Sequence, residues 1–172
     1  MRMKENQQQQ IFKEWLNEYR ALLFKVIKTH SFNREDLNDL FQEVCLQVYR
    51  SIPSFKSECA VSTWIYRVAL NTAIKWSSKE GKHIKGHQEI DEMANLLVAD
   101  DYQEDERLAW MYSEIRKLNE IDRSLILLHL DGFSYAEMSE ILGISGSNIG
   151  VKIHRIKKQL VNNSKYYEYD GI

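Results

Sequence analysis

Apolar residues recur along most of this chain at intervals of three and four, the spacing that puts them on one face of an α-helix. Ile11, Trp15, Tyr19, Leu22 and Val26 step by four, four, three and four and predict one continuous apolar stripe. Asn33 stands ahead of the next run as a capping residue, with Asp36 three positions on. Leu37, Phe41, Val44 and Val48 then predict a buried stripe on a helix that ends before Pro53. Residues 54–61, SFKSECAV, read as a short loop. Another helix runs through STWIYRVALNTAIKWSSK, with Ile65, Ala69 and Ala73 facing inward. The glutamine-rich residues 1–8 have nothing to bury and read as disordered.

The pattern then lapses. Between His87 and Glu106 lie eight acidic residues (Glu89, Asp91, Glu92, Asp100, Asp101, Glu104, Asp105, Glu106) and no Lys or Arg. The preceding span, 55–86, holds six basic and two acidic residues, so the sign of the charge reverses over a polar stretch. Such a reversal marks a linker, and the simplest reading of the acidic run is a solvated connector. Helical spacing resumes in DERLAWMYSEIRKL through Leu108, Met111, Ile115 and Leu118. NEIDRSLILLHLDG follows, with Asn119 as its cap and Gly132 as its stop. The tail NNSKYYEYDGI reads as frayed. No strand alternation and no internal repeat is present. The expected fold is all-α, two small helical domains joined by an acidic linker: 9–82, the linker 83–104, and 105–163.

The segment from Phe133 to Leu160 has the marks of a helix-turn-helix. Ser134 and Glu137 form a capping box, Met138 and Leu142 share a face, and Gly143 suits a left-handed helix end. Ile144 fills the corner. Ser145 then caps a longer helix with Ile149, Ile153, Ile156 and Leu160 on its buried side. Its polar side carries Asn148, Lys152, Arg155 and Gln159. Between residues 141 and 167 there are five basic residues and no acid. Reading a major groove needs small polar side chains in the first turn and cations beyond it for phosphates. Ser145, Ser147 and Asn148 suit the first role; Lys152, Arg155 and Lys158 suit the second. The blander reading is a helical hairpin with a solvated basic face. Gly150, inside this helix, costs about 1 kcal/mol relative to alanine. Close approach to DNA and no role at all are both open for it.

Composition narrows the classes. The 172 residues carry a formal charge of −2 and 44% hydrophobic residues, so a core is available and any nucleic-acid signal is local rather than global. Cys45 and Cys59 are not at metal-ligand spacing and fit reduced thiols in the cytoplasm. The N-terminus lacks a signal-peptide core, and no apolar run is long enough to span a bilayer. His30, His83, His87, His129 and His154 are scattered; His83 and His87 sit at i, i+4 with no evident third ligand. No catalytic set, cofactor motif or metal site emerges, and the chain reads as a non-enzyme.

The first half decides which kind of helix-turn-helix protein this is. DLFQEV at 39–44, Tyr49, Arg50, Phe55, Lys56, Glu58, TWIYR at 63–67 and NTA at 71–73 resemble region two of bacterial RNA polymerase sigma factors of the extracytoplasmic-function (ECF) group. LNEIDRSLILLHLDGFSYAEMSEILGISGSNIGVKIHRIKKQL resembles region four of the same family. The resemblance covers about residues 11–79 and 104–162 and implies roles for particular residues. Asp39, Gln42, Glu43 and Gln47 would bind core polymerase at the β′ coiled coil, with the β flap as a further polymerase contact. Lys56, Glu58, Trp64, Arg67, Asn71 and Lys75 would meet the minus-ten element, with Trp64 weighing more as core than as a stacking platform. The helix from Ser145 would read the minus-thirty-five element. Two positions depart from the usual pattern: Gly150, where many relatives carry Lys or Arg, and Val151, where many carry Ser. The resemblance further implies promoter DNA and an anti-sigma protein as partners and no membrane contact. Two other classes remain open, a dimeric helix-turn-helix regulator acting without core polymerase and a helical protein-interaction module.

Overall fold

The computed structural model describes residues 5–77 and 105–170, with side chains through Tyr167. Eight α-helices and one 3-10 turn make up the described residues, with no strand among them. The chain divides into two compact units, one up to Leu108 and one from Ala109. The acidic linker lies outside the described residues, as does the pair His83 and His87.

In the N-terminal unit, α1 spans Glu5–Glu18, α2 Arg20–His30, α3 Arg34–Ser51 and α4 Val61–Ser77. Helix α1 starts inside the glutamine tract, so the expected disorder does not hold from Glu5 onward. Glutamine is a fair helix former, and here the tract is also docked. The Gln8 amide donates to the Tyr49 carbonyl at 2.8 Å. One turn later Phe12 sets its ring edge-on to Tyr49 at 5.4 Å. The single stripe expected from Ile11 to Val26 is broken at Tyr19, which leaves helical geometry (φ −105°, ψ 19°). The break turns α2, so Leu23 and Ile27 are buried beside the expected Val26, and Leu22 is only half-buried.

Asn33 caps α3 as its sequence suggests, its side-chain oxygen accepting from the Asp36 N–H at 2.8 Å. The buried line is Leu40, Phe41, Val44, Cys45 and Val48, with Leu37 only half-buried. Burial pushes the Cys45 thiol up, and both cysteines are unpaired. A 3-10 turn, Ile52–Ser54, carries Pro53 before the loop 55–60. Against α2 and α3, α4 buries Ile65, Tyr66, Ala69, Leu70 and Ala73.

The C-terminal unit holds α5 (Glu106–Lys117), α6 (Glu120–Leu130), α7 (Tyr135–Leu142) and α8 (Gly146–Asp170). On α5 the buried side is Tyr112, Ile115 and Leu118, with Leu108 exposed, so its face is rotated from the expected one. Helix α6 begins on Asn119, whose oxygen accepts from the Asp122 N–H at 2.9 Å. It ends on Gly132 in the left-handed region (φ 81°). There the Gly132 N–H reaches the His129 carbonyl and the Phe133 N–H the Leu128 carbonyl, the paired bonds of a Schellman motif.

As far as Asp170 the tail is helical rather than frayed. Helix α8 continues to Asp170 because it has partners on α5. The Asn163 amide donates to the buried Glu114 carboxylate at 2.7 Å, and Tyr167 stacks on Trp110 at 5.2 Å. Burial would raise the Glu114 carboxyl, but hydrogen bonds from Lys117 and Asn163 hold it below the usual carboxylate range.

Gly150 also has a structural reason that its sequence does not disclose. A Cβ there would lie 3.3 Å from Cε2 of Tyr135 on α7, so the missing side chain makes room for a ring. Tyr135 is 43% exposed and can yield by a few tenths of an ångström. Gly150→Ala is therefore expected to raise stability by about 0.5 kcal/mol, roughly half of the helix-propensity gain. Thermal unfolding measures it, and a destabilised variant would show that the ring is locked in place.

Candidate nucleic-acid interface

Local signals build the helix-turn-helix. At eight residues α7 is too short to stand alone in water. Its start is fixed by the capping box: Ser134 Oγ accepts from the Glu137 N–H at 3.3 Å, and Glu137 Oε2 accepts from the Ser134 N–H at 2.8 Å. Its end is fixed by Gly143, in the left-handed region (φ 68°), whose N–H bonds to the Ser139 carbonyl at 2.8 Å. Met138 and Ile141 are its buried residues. Ser145 lies just before α8, and its carbonyl accepts the Ile149 N–H at 3.0 Å. The Ser145 and Ser147 hydroxyls are 3.4 Å apart. Ile149, Ile153 and Ile156 are buried, which fixes the rotation of α8 and turns Ser145, Ser147, Asn148 and Lys158 to solvent.

Lys152 and Arg155 are held differently. Asp122, on α6, is buried and receives both: Lys152 Nζ at 2.9 Å on one carboxylate oxygen, Arg155 Nη2 at 2.8 Å on the other. The Asn119 amide adds a third donor at 2.9 Å. Burial alone would raise the Asp122 carboxyl. Hydrogen bonds from Lys152 and Asn119, with the charges of Lys152 and Arg155, outweigh it and hold the group below its ordinary value. The Lys152 side chain is 24% exposed and that of Arg155 63%. One of the two cations therefore belongs mainly to the fold, while the other is tethered and still open to solvent. Arg123, next to Asp122, is also buried and donates to the carbonyls of Arg116 and Leu118, closing the end of α5.

In the N-terminal unit, Trp64 sits in an aromatic row. Trp15 meets Phe55 edge-on at 5.4 Å, Phe55 meets Trp64 at 5.6 Å, and the Arg67 guanidinium lies 4.7 Å from the Trp64 ring centre. The Trp64 Nε1–H donates to Ser51 Oγ at 3.0 Å. This row pins the loop 55–60 to the helices on either side of it. Between exposed Lys56 and exposed Glu58, Ser57 takes a positive φ of 57°. That conformation costs a residue with a Cβ about 1 kcal/mol. Asn71 and Lys75 extend the line from Arg67 at intervals of four and are exposed on α4. On α3, Asp39 is exposed and Gln42, Glu43 and Gln47 are partly so. The Gln47 amide donates to Glu43 at 2.7 Å, tying two of the four together.

His30 is buried with Nδ1 2.9 Å from the Val26 carbonyl, and His129 and His154 lie apart on α6 and α8. Among the described residues no three His, Cys, Asp or Glu side chains are grouped so as to hold a metal ion. No helix among them is long and apolar enough to cross a membrane.

Comparison with known proteins gives this arrangement a family. Residues 15–83 match Sigma-70 region 2, and residues 108–160 match Sigma-70, region 4. The ECF RNA polymerase sigma-E factor of Haemophilus influenzae is 30% identical over 146 residues, covering 78% of this chain and 77% of that one. RNA polymerase sigma factor YlaC of Bacillus subtilis is 28% identical over 160 residues, 89% of each chain. A solved structure of CnrH in complex with the cytosolic domain of CnrY shares the fold, with a TM-score of 0.64 at 18% identity over 92% of this chain and 90% of that one. The chain belongs to the ECF group of RNA polymerase sigma factors. It is thus a transcription initiation factor, and the dimeric regulator and the interaction module fall away.

No local pattern in the sequence points to Asp122, because its partners lie 30 and 33 positions away. The pH dependence of the clamp follows from its carboxyl. Unfolded, Asp122 returns to its ordinary value of 3.8, and folded it stays ionised to lower pH. Its stabilisation is complete above the unfolded value and is lost as pH falls through the lower folded one. Asp122→Asn is expected to cost about 2 kcal/mol near neutral pH, since it leaves Lys152 largely buried without its anion. Urea unfolding of both proteins should show that gap closing only as pH falls below the unfolded value of 3.8 and through the lower folded one.

Proposed function

We propose that this sigma factor divides its contacts among three surfaces. The polar band on α3, Asp39, Gln42, Glu43 and Gln47, docks on the β′ coiled coil of core polymerase, with a further contact to the β flap. The loop 55–60 and α4 engage the minus-ten element. Lys56 and Glu58 flank the site of capture, Asn71 touches the DNA, and Arg67 and Lys75 hold phosphates. Trp64 serves as the wall of that site rather than as a base-stacking platform, because Phe55 and Arg67 already occupy its surroundings. Helix α8 enters the major groove at the minus-thirty-five element. Ser145, Ser147 and Asn148 lie at the bases, and Arg155 and Lys158 meet phosphates. Lys152 would have to leave Asp122 to join them.

The observation that carries this reading is the side of α8 left to solvent. Three buried isoleucines point one way, and an acid-free surface with Asn148 and Lys158 points the other. On this reading the chain works in the cytoplasm, performs no catalysis of its own and divides as 9–82, 83–104 and 105–163. An anti-sigma protein is a further expected partner. Support comes from CnrH, a protein of like fold whose structure is that of a complex with the cytosolic domain of CnrY.

The direct experiment is transcription in vitro with core polymerase on a fragmented genomic library, with and without this protein. Discrete start sites that depend on it are expected, and none would overturn the reading. Gln42→Ala with Glu43→Ala should weaken core binding about tenfold, roughly 1.4 kcal/mol, and spare binding to an upstream fragment. Asn71→Ala should impair opening or minus-ten selectivity with core affinity intact. Lys158→Ala should lower the salt slope of upstream-element binding by about 1, the share of one phosphate contact.

A further inference from the structure

Helix α8 carries an apolar side chain where a polar one would be expected. Val151 is 70% exposed, more than almost any other large hydrophobic residue described. Single exposed apolar residues on a protein surface ordinarily need no explanation. This one differs in its position. It follows Ser147 by four and Asn148 by three, so it stands on the same side of the first two turns as the two small polar residues. Along the chain its surroundings are polar and basic, with no acid between 141 and 167.

Its neighbours leave it prominent. Gly150 has no side chain, and the space beside it is taken by Tyr135. Lys152 is drawn back to buried Asp122 and is 24% exposed. The long cations best able to read guanine in this region, Lys152 and Arg155, are both bound to that carboxylate. What remains at the first turns, beside the small hydroxyls of Ser145 and Ser147, is an amide and a branched hydrocarbon.

In a major groove those two groups have distinct complements. An asparagine amide pairs with N6 and N7 of adenine, and an apolar side chain packs against the C5-methyl of thymine. We propose that Val151 is a specificity-determining residue that packs against a thymine methyl group in the upstream promoter element, beside an adenine read by Asn148. The inference rests on the placement of α8 in the major groove given above. A valine there favours an A·T-containing element, and it replaces with hydrophobic contact what a serine would supply by hydrogen bonding.

The test removes the methyl group from the DNA rather than the protein. A promoter recovered from the library transcription is made with each thymine of the upstream element replaced singly by deoxyuridine. Binding of the full chain with core polymerase is then measured for each duplex. At one position the wild type should lose about fourfold in affinity, the worth of one buried methyl group. Val151→Ala should bind the thymine duplex as weakly as the wild type binds the uracil one, and should not distinguish them. An element in which no thymine matters, or that contains none, would overturn the proposal. So would a uracil penalty that persists undiminished in Val151→Ala. Asn148→Ala and Lys158→Ala on the same duplex separate the two levels. If they weaken binding while no thymine matters, only the role of Val151 fails. If neither does, the placement of α8 fails and the role of Val151 with it.

Discussion

Asp122 has left the water and must be compensated where it sits. Two cations from α8 and an amide from the cap of its own helix supply that compensation. An uncompensated carboxylate at this depth would lose several kcal/mol of solvation, so α8 has essentially one acceptable rotation and one acceptable register along α6. The three isoleucines agree with that register, and the polar side then has nowhere to go but outward. In this unit the burial of one negative charge decides which residues of α8 are left facing solvent.

The N-terminal unit reaches a similar result by aromatic packing. Trp15, Phe55 and Trp64 form a row that begins on α1 and ends on α4, with Arg67 at its end. The loop between Phe55 and Val61 is anchored at its base while its middle stays exposed. Ser57, in a conformation that side chains avoid, is kept there by that anchoring. If the loop captures a base as proposed, it benefits from being shaped before the base arrives, since ordering it later would cost affinity.

Much of this was readable in the sequence, and the readable part has a common physical character. The caps at Asn33, Asn119 and Ser134 and the stops at Gly132 and Gly143 act within three or four residues, and each is where its spacing predicts. So are the inward lines Ile65, Ala69, Ala73 and Ile149, Ile153, Ile156, while Leu160, expected to continue the second, is only half-buried. What escaped depends on distance along the chain. Gln8 reaches Tyr49, Asn163 reaches Glu114, and Lys152 reaches Asp122, separations of 41, 49 and 30 residues. No local pattern reports such pairings, so the glutamine tract and the tail read as loose when both are docked. The kink at Tyr19 escaped for another reason: an unbroken apolar period says nothing about a single residue that departs from helical angles. Of the proposed contacts, the sequence put Lys152 and Arg155 on one polar side correctly, but it could not show that a carboxylate already claims them.

Helix α8 runs unbroken for 25 residues, close to 37 Å at 1.5 Å per residue. Asn148 stands near one end and Tyr167, stacked on Trp110, near the other. A rod held at its far end cannot tilt at its near end without dragging its moorings. The heel of this helix, given no part in the proposed DNA contact, therefore sets the heading of the toe to which that contact is assigned.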